Sequence, residues 1–139
     1  GLVCDLVVDQ DRLGDWSSRV ESAFSQLMSQ SNPPTAVFCS CDAVARSVYR
    51  AAGKLGVRIP EDVSVVGFDD DPLAEWLTPA LTSVRQPFRE MGRRAVELLG
   101  ARLADPNKEI EHSVLPVELI SRASVSRPGK NANSSGGKS

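Results

Sequence analysis

Asp69, Asp70 and Asp71 stand together directly behind an apolar run, Val63-Ser64-Val65-Val66-Gly67-Phe68. A carboxylate delivered where an apolar strand ends can accept hydrogen bonds from the hydroxyls of a small molecule. One that spans two hydroxyls rejects analogues lacking them, because its buried oxygens are then left unpaired. Trp16 and Phe88 are the aromatic groups whose positions along the chain suit the same task. Sugars pack their C–H faces on such rings while their hydroxyls donate to carboxylates. Each residue also has a plainer reading. Asp69 can cap the turn that opens at Pro72, and Asp70 and Asp71 read as turn carboxylates. Trp16 can act as a helix-start staple on Val20, and Phe88 and Met91 sit on a helical stripe that suits a core.

Other chemistry is poorly supplied. Cys4, Cys39 and Cys41 are an odd number without the spacing of a disulfide framework. Cys39 and Cys41 flank one residue, so the expectation is one thiol in the core and one facing a strand-end cleft. With a single distant His112 they make a poor metal set, and no metal or cofactor is expected. Net charge is −2, which gives no basic field for nucleic acid. Arg93, Arg94 and Arg102 read as a solvated helix face. No apolar run approaches a membrane span and no signal pattern opens the chain, which suggests a cytoplasmic protein. The start at Gly1-Leu2-Val3 reads as part of a longer protein.

The elements that position these groups follow from periodicity. Leu2 to Val8 reads as a strand, followed by a polar loop over Asp9 to Asp15. Ser18 with Glu21 predicts a capping box, and Val20, Ala23, Phe24, Leu27 and Met28 predict an apolar helix face. Ser31-Asn32-Pro33-Pro34 ends that helix. Thr35 to Cys39 is a short strand, and Asp42 is expected to cap the next helix, with Val44, Val48, Ala52 and Leu55 on its buried stripe and Gly56 as its stop. Val63 to Phe68 is the third strand, Pro72 to Leu77 a short helix, and Leu81 to Arg85 the fourth strand. Pro87 opens a helix with Phe88, Met91, Ala95, Leu98 and Leu99 on one face. Val114 to Ile120 is a last strand, placed at an edge by Pro116.

The order β-α-β-α-β-β-α-β predicts an α/β fold, a parallel sheet with helices on both faces. Ligands of such sheets sit beyond the carboxyl ends of the strands, where the loops carry Asp9 to Trp16, Cys41 with Asp42, Asp69 to Asp71, and Gln86 with Phe88. Pro128 to Ser139 is rich in Gly, Ser, Asn and Lys and reads as a disordered tail, leaving 1–127 as the folded unit.

Several segments in order resemble one family. Pro34-Thr35-Ala36-Val37-Phe38-Cys39-Ser40-Cys41-Asp42 is similar to a strand running into an Asn-Asp pair. Ile59-Pro60-Glu61-Asp62-Val63-Ser64-Val65-Val66-Gly67-Phe68-Asp69-Asp70 follows, then Leu77 to Pro87, Met91-Gly92, and Leu115 to Arg122. Together they resemble the LacI/GalR transcription regulators, and Gly14-Asp15-Trp16-Ser17 resembles a segment at the ligand cleft of sugar-responsive members. The resemblance implies one lobe of a periplasmic-binding-protein-like type I fold, with 88–115 packing toward an amino-terminal lobe and the helix-turn-helix headpiece lying outside this chain. Asp69 would grip effector hydroxyls, Phe68 would shape the pocket, Trp16 would stack on the effector and Cys41 would face it. Phe88 with Met91 would line the cleft near the lobe hinge. Leu73 to Leu81 and the helix after Asp42 would lie near a homodimer interface. Two positions depart from the pattern: Cys41 stands where the family usually has Asn, and Arg46 where an apolar interface residue is common.

The implied function is a ligand-sensing, dimerising part of a bacterial regulator. Its effector is a sugar or nucleoside-like molecule, it touches operator DNA only through the headpiece, and it is not an enzyme. A periplasmic sugar-binding protein of the same fold is the alternative. A second alternative comes from Phe68-Asp69-Asp70-Asp71, which imitates the Asp-x-Asp motif of haloacid-dehalogenase-like phosphatases. There Asp69 would be the nucleophile, Asp71 the general acid/base and Mg²⁺ the charge neutraliser. That family needs a later acidic pair at a strand end, and none is present.

Overall fold

The computed structural model describes residues 16–127. The expected strand over Leu2 to Val8, the loop before Trp16 and the tail over 128–139 lie outside the described residues. The elements in order are α1 (Trp16–Met28), β1 (Ala36–Phe38), α2 (Asp42–Leu55), β2 (Ser64–Asp69), a 3₁₀ turn (Pro72–Trp76), β3 (Thr82–Arg85), α3 (Phe88–Ala104) and β4 (Glu118–Ile120).

The strands form one sheet in the order β1-β2-β3-β4. β1, β2 and β3 run parallel, with Val37 beside Val65 and Gly67 beside Ser83. The last strand corrects the expectation of a parallel sheet. β4 pairs with β3 antiparallel, Ser83 beside Ile120, because the chain returns after α3 through a long loop and enters from the opposite end. An antiparallel edge on an otherwise parallel sheet is a common solution.

Side chains alternate between the two faces of a strand, and the faces differ here. Val37, Val65, Gly67 and Ser83 share the face covered by α2. The core gathers there: Ala45, Val48, Ala51 and Ala52 of α2, Val20 and Phe24 of α1, with Cys39, Val63, Val65, Ala74 and Leu81. The other face carries Phe38, 65% exposed, and Leu119, 58% exposed, with Phe68 and Val84 between them. Helices on both faces are therefore not found among the described residues: α1 packs on α2, and α3 buries none of its residues.

Helix α1 runs alongside α2 in the same direction. Ser17 and Ser47 share a hydroxyl hydrogen bond of 3.1 Å, while Glu21 accepts from Arg50 and, at 2.6 Å, from Lys54. Ser18, expected to open the helix with a capping box to Glu21, lies inside it, since the helix already includes Trp16. Glu21 serves the neighbouring helix instead, and the Lys54 bond leads in holding its carboxyl below the usual range. Helix α2 ends on Gly56 at φ 68°, the left-handed stop its sequence predicts.

Past β4 the chain does not leave the fold. Ser124 is fully buried. Its hydroxyl accepts from Thr82 N at 2.8 Å and donates to Val65 O at 2.6 Å, and its carbonyl accepts from Val65 N at 2.9 Å. One serine thus bridges the starts of β2 and β3, just ahead of the ladder the two strands share from Val66 and Thr82 onward.

Candidate functional site

The carboxyl ends of β1, β2 and β3 deliver Cys41, Asp69 and Gln86 to one sheet edge. At the end of β2 the backbone turns sharply, with Asp69 at φ 105° and Asp70 at φ 54°. Non-glycine residues enter this region at a cost, and Asp and Asn do so most readily. Asp69 Oδ1 accepts from Gln86 Nε2 at 2.7 Å, the one hydrogen bond to its carboxylate among the described residues. Its second oxygen accepts no hydrogen bond among the described residues.

The two carboxylates that follow have structural work. Asp70, its side chain 6% exposed, lies 2.7 Å from Arg85 Nη2 and 2.7 Å from Arg122 Nη1. Burial opposes its ionisation, yet the Arg122 and Arg85 bonds outweigh burial and hold the carboxyl below its ordinary value. Arg122 also donates to Leu81 O at 2.8 Å and to Glu75 at 3.1 Å. Asp71 caps the 3₁₀ turn by accepting from Leu73 N at 2.7 Å. A phosphatase arrangement needs Asp71 as a proton carrier beside a metal. Here its carboxylate is engaged in the cap, and no group of three metal-binding side chains occurs among the described residues.

Asp42 corrects the expected helix cap. Cys41 holds the N-cap position in extended geometry with no side-chain cap bond, and Asp42 begins the helix itself. Its carboxylate is buried, 3% exposed. Oδ1 accepts from Ser83 Oγ at 2.7 Å and Oδ2 accepts from Asp71 N at 2.7 Å. The position suits the charge, since the free N–H groups of a helix start favour an anion.

The six residues expected at the site fall as follows. Asp69 and Cys41 stand at the strand-end edge, Cys41 half-buried. Phe88 and Met91 open α3 just beyond Gln86 and are 56% and 40% exposed. Trp16, 43% exposed, stands at the start of α1, at the same end of the helix layer as Cys41. Phe68 is turned to the opposite sheet face, edge-to-face with Phe38 at 6.4 Å, because it neighbours Asp69 and strand side chains alternate. Of the set, only Asp69 has a side-chain hydrogen bond among the described residues, and its partner is Gln86.

The cysteines separate for a different reason from the one expected. In a regular strand residues 39 and 41 would share a face; Cys39 follows Val37 onto the core face, its N–H still bonded to Val66 O at 2.8 Å, whereas the chain has left the strand by Cys41, which reaches the helix start. Burial first, then nearby Cys41 and Asp42, push the Cys39 thiol up to about 12, which leaves it inert at neutral pH.

Comparison with known proteins gives this edge its context. Residues 3–125 match the model of the periplasmic binding protein-like domain. The chain belongs to that family. As a periplasmic-binding-protein-like domain it is 42% identical over 99 residues to the ribose operon repressor of Haemophilus influenzae, a match covering 71% of this chain and 30% of the repressor. It is 40% identical over 103 residues to the HTH-type transcriptional repressor PurR of Salmonella paratyphi B, covering 74% and 30%. The domain therefore spans about a third of the length of these curated relatives.

Solved structures agree on the fold. A LacI family regulator from Enterococcus faecium with bound ribose aligns at TM-score 0.67 and 33% identity, covering 78% of this chain and 40% of that one. The CelR regulator in complex with cellobiose aligns at TM-score 0.71 and 35% identity, covering 78% and 33%. The resemblance to the LacI/GalR effector-binding domain read from the sequence is borne out. No helix among the described residues is long and apolar enough to cross a membrane.

Proposed function

We propose that this domain is the ligand-sensing part of a LacI/GalR-type transcription regulator and that Asp69 grips the hydroxyls of a sugar-like effector. The observation that carries the reading is the state of Asp69. It is held at a strained backbone angle at the strand-end edge, one oxygen is fixed by Gln86, and the other is open to a donor. Backbone strain that the surrounding structure maintains is typical of ligand-holding positions. Trp16, Phe88 and Met91 offer partly exposed apolar surface at the same edge, Cys41 faces the ligand, and Phe68 backs the strand that delivers Asp69. The ribose and cellobiose seen in related regulators favour a sugar over a nucleoside.

The intact regulator is a cytoplasmic homodimer that reaches operator DNA through a separate headpiece and performs no enzymatic step. Segment 88–115 packs on the other lobe, and the effector shifts the balance between lobe arrangements. Such coupling is worth about 1–3 kcal/mol in typical allosteric systems. The test is a tryptophan-fluorescence titration of the intact regulator with ribose, cellobiose and a panel of other sugars and nucleosides, with Asp69→Ala beside it. A saturable response to one sugar that disappears in Asp69→Ala is expected. An undiminished response in Asp69→Ala, or none to any sugar, sinks the assignment.

A further inference from the structure

We propose that Asp42 is a positioning residue for Asp69: with Ser83 it locks the two peptide groups after Asp69, and so fixes where the Asp69 carboxylate points. The inference rests on the sugar-sensing reading for its consequence but on geometry for its substance. The Asp69–Asp70 turn occupies positive φ at two successive non-glycine residues, a conformation that local preference alone does not hold. Two amides leave that turn. Asp70 N donates to Ser83 Oγ at 3.1 Å, and Asp71 N donates to Asp42 Oδ2 at 2.7 Å. Ser83 Oγ in turn donates to Asp42 Oδ1 at 2.7 Å. Both amides therefore end on one carboxylate–hydroxyl unit, built from the start of α2 and the middle of β3.

The unit is buried on all sides, with Ser83 at 0% and Asp42 at 3% exposure. Neither group can exchange these bonds for water without opening the core. Gly67 supplies the space. A Cβ there would stand 2.1 Å from Asp42 Oδ1 and 3.2 Å from its Cγ. Gly67 does not sit at positive φ, so its small size, not its backbone freedom, is what the site uses. The carboxylate passes across the face of β2 at Gly67 to reach the turn two residues on. A group that orders a ligand-holding side chain in this way sets affinity without touching the ligand.

The test uses the intact regulator with Ser83→Ala, Asp42→Asn and, as a stability control, Val48→Ala in the same helix. Two readouts are taken: amide hydrogen exchange at Asp70 and Asp71 without ligand, and calorimetric affinity for ribose. Ser83→Ala is expected to speed exchange at both amides about tenfold or more and to weaken ribose binding by about tenfold, the effect of one lost buried hydrogen bond. Val48→Ala should lower the melting temperature while leaving both readouts near wild type. If Asp42→Asn does not fold, Ser83→Ala decides the matter. Unchanged exchange in Ser83→Ala overturns the proposal, and so does a loosened turn with undiminished ribose affinity. Failure of the wild-type regulator to bind ribose counts against the choice of sugar in the functional reading, while the exchange comparison still decides whether Asp42 and Ser83 hold the turn.

Discussion

Helices α2 and α3 both carry an apolar stripe, stronger in α2, and have opposite fates. Six of the fourteen residues of α2 are buried, whereas none of the seventeen of α3 is. The difference lies in what each helix is given to pack on. Helix α2 returns along the sheet from β1 to β2 and finds α1 on one side and Val65 and Leu81 on the other. Helix α3 leaves β3 at the carboxyl edge of the sheet, and its chain comes back only at β4. Its stability within this chain comes from its own turns and from exposed pairs such as Arg94 with Glu97 at 3.4 Å. An apolar stripe thus states that a helix wants a partner without stating where the partner is.

Four substitutions break or sharpen this contrast. The largest effect is expected of Gly67→Ala, at the contact between α2 and the sheet. The added methyl meets a buried carboxylate and, 2.9 Å away, Leu81 Cδ2, so a loss of about 3 kcal/mol or more is expected in urea unfolding. Val48→Ala, on the buried face of α2, should cost about 2 kcal/mol by the same measurement.

Asp70→Asn follows, at about 2 kcal/mol near neutral pH, less than a fully buried pair because Arg85 is half exposed. Its sign with pH can be worked out. The folded carboxyl is held below its ordinary value of 3.8. Its stabilisation is therefore complete above that value and lost as pH falls through the folded pKa. The gap between wild type and Asp70→Asn should close in acid melts below about pH 3.8. Smallest is Leu99→Ala on α3, 59% exposed, which should change the stability of this chain by no more than about 0.5 kcal/mol. A loss several times larger in the intact regulator would show that its other lobe covers α3, and an equally small one would leave the helix without a partner there.

Much of the fold was legible because most elements announce themselves locally. The apolar run before Asp69, the glycine stop at Gly56 and the stripe of Val20 and Phe24 all needed only neighbouring residues. The candidate site was legible in part. Asp69 stood out by its place behind β2, but the work of Asp42 did not. An aspartate before a helix reads as a cap, and only the arrival of Ser83, 41 residues later, turns it into a buried brace. Gly67 carried a usable hint, since a glycine within an apolar strand often marks close approach by another group. Arg122 and Ser124 were hidden by composition. They lie where apolar residues run out, and their burial depends on bonds to Asp70, Val65 and Thr82 that no local pattern encodes. The direction of β4 was lost for a related reason: periodicity identifies a strand but not which way its neighbour runs.

Those last residues set a practical boundary. Val65 N and O and Thr82 N have their partners in Ser124, and Ser126 N donates to Ser64 Oγ at 3.1 Å. A version of this domain cut after Ile120 would keep every strand and still leave main-chain groups in its interior without partners, each of them costly to bury alone. A reporter fused to this end, or a permuted chain opened there, should therefore be joined beyond Ser126.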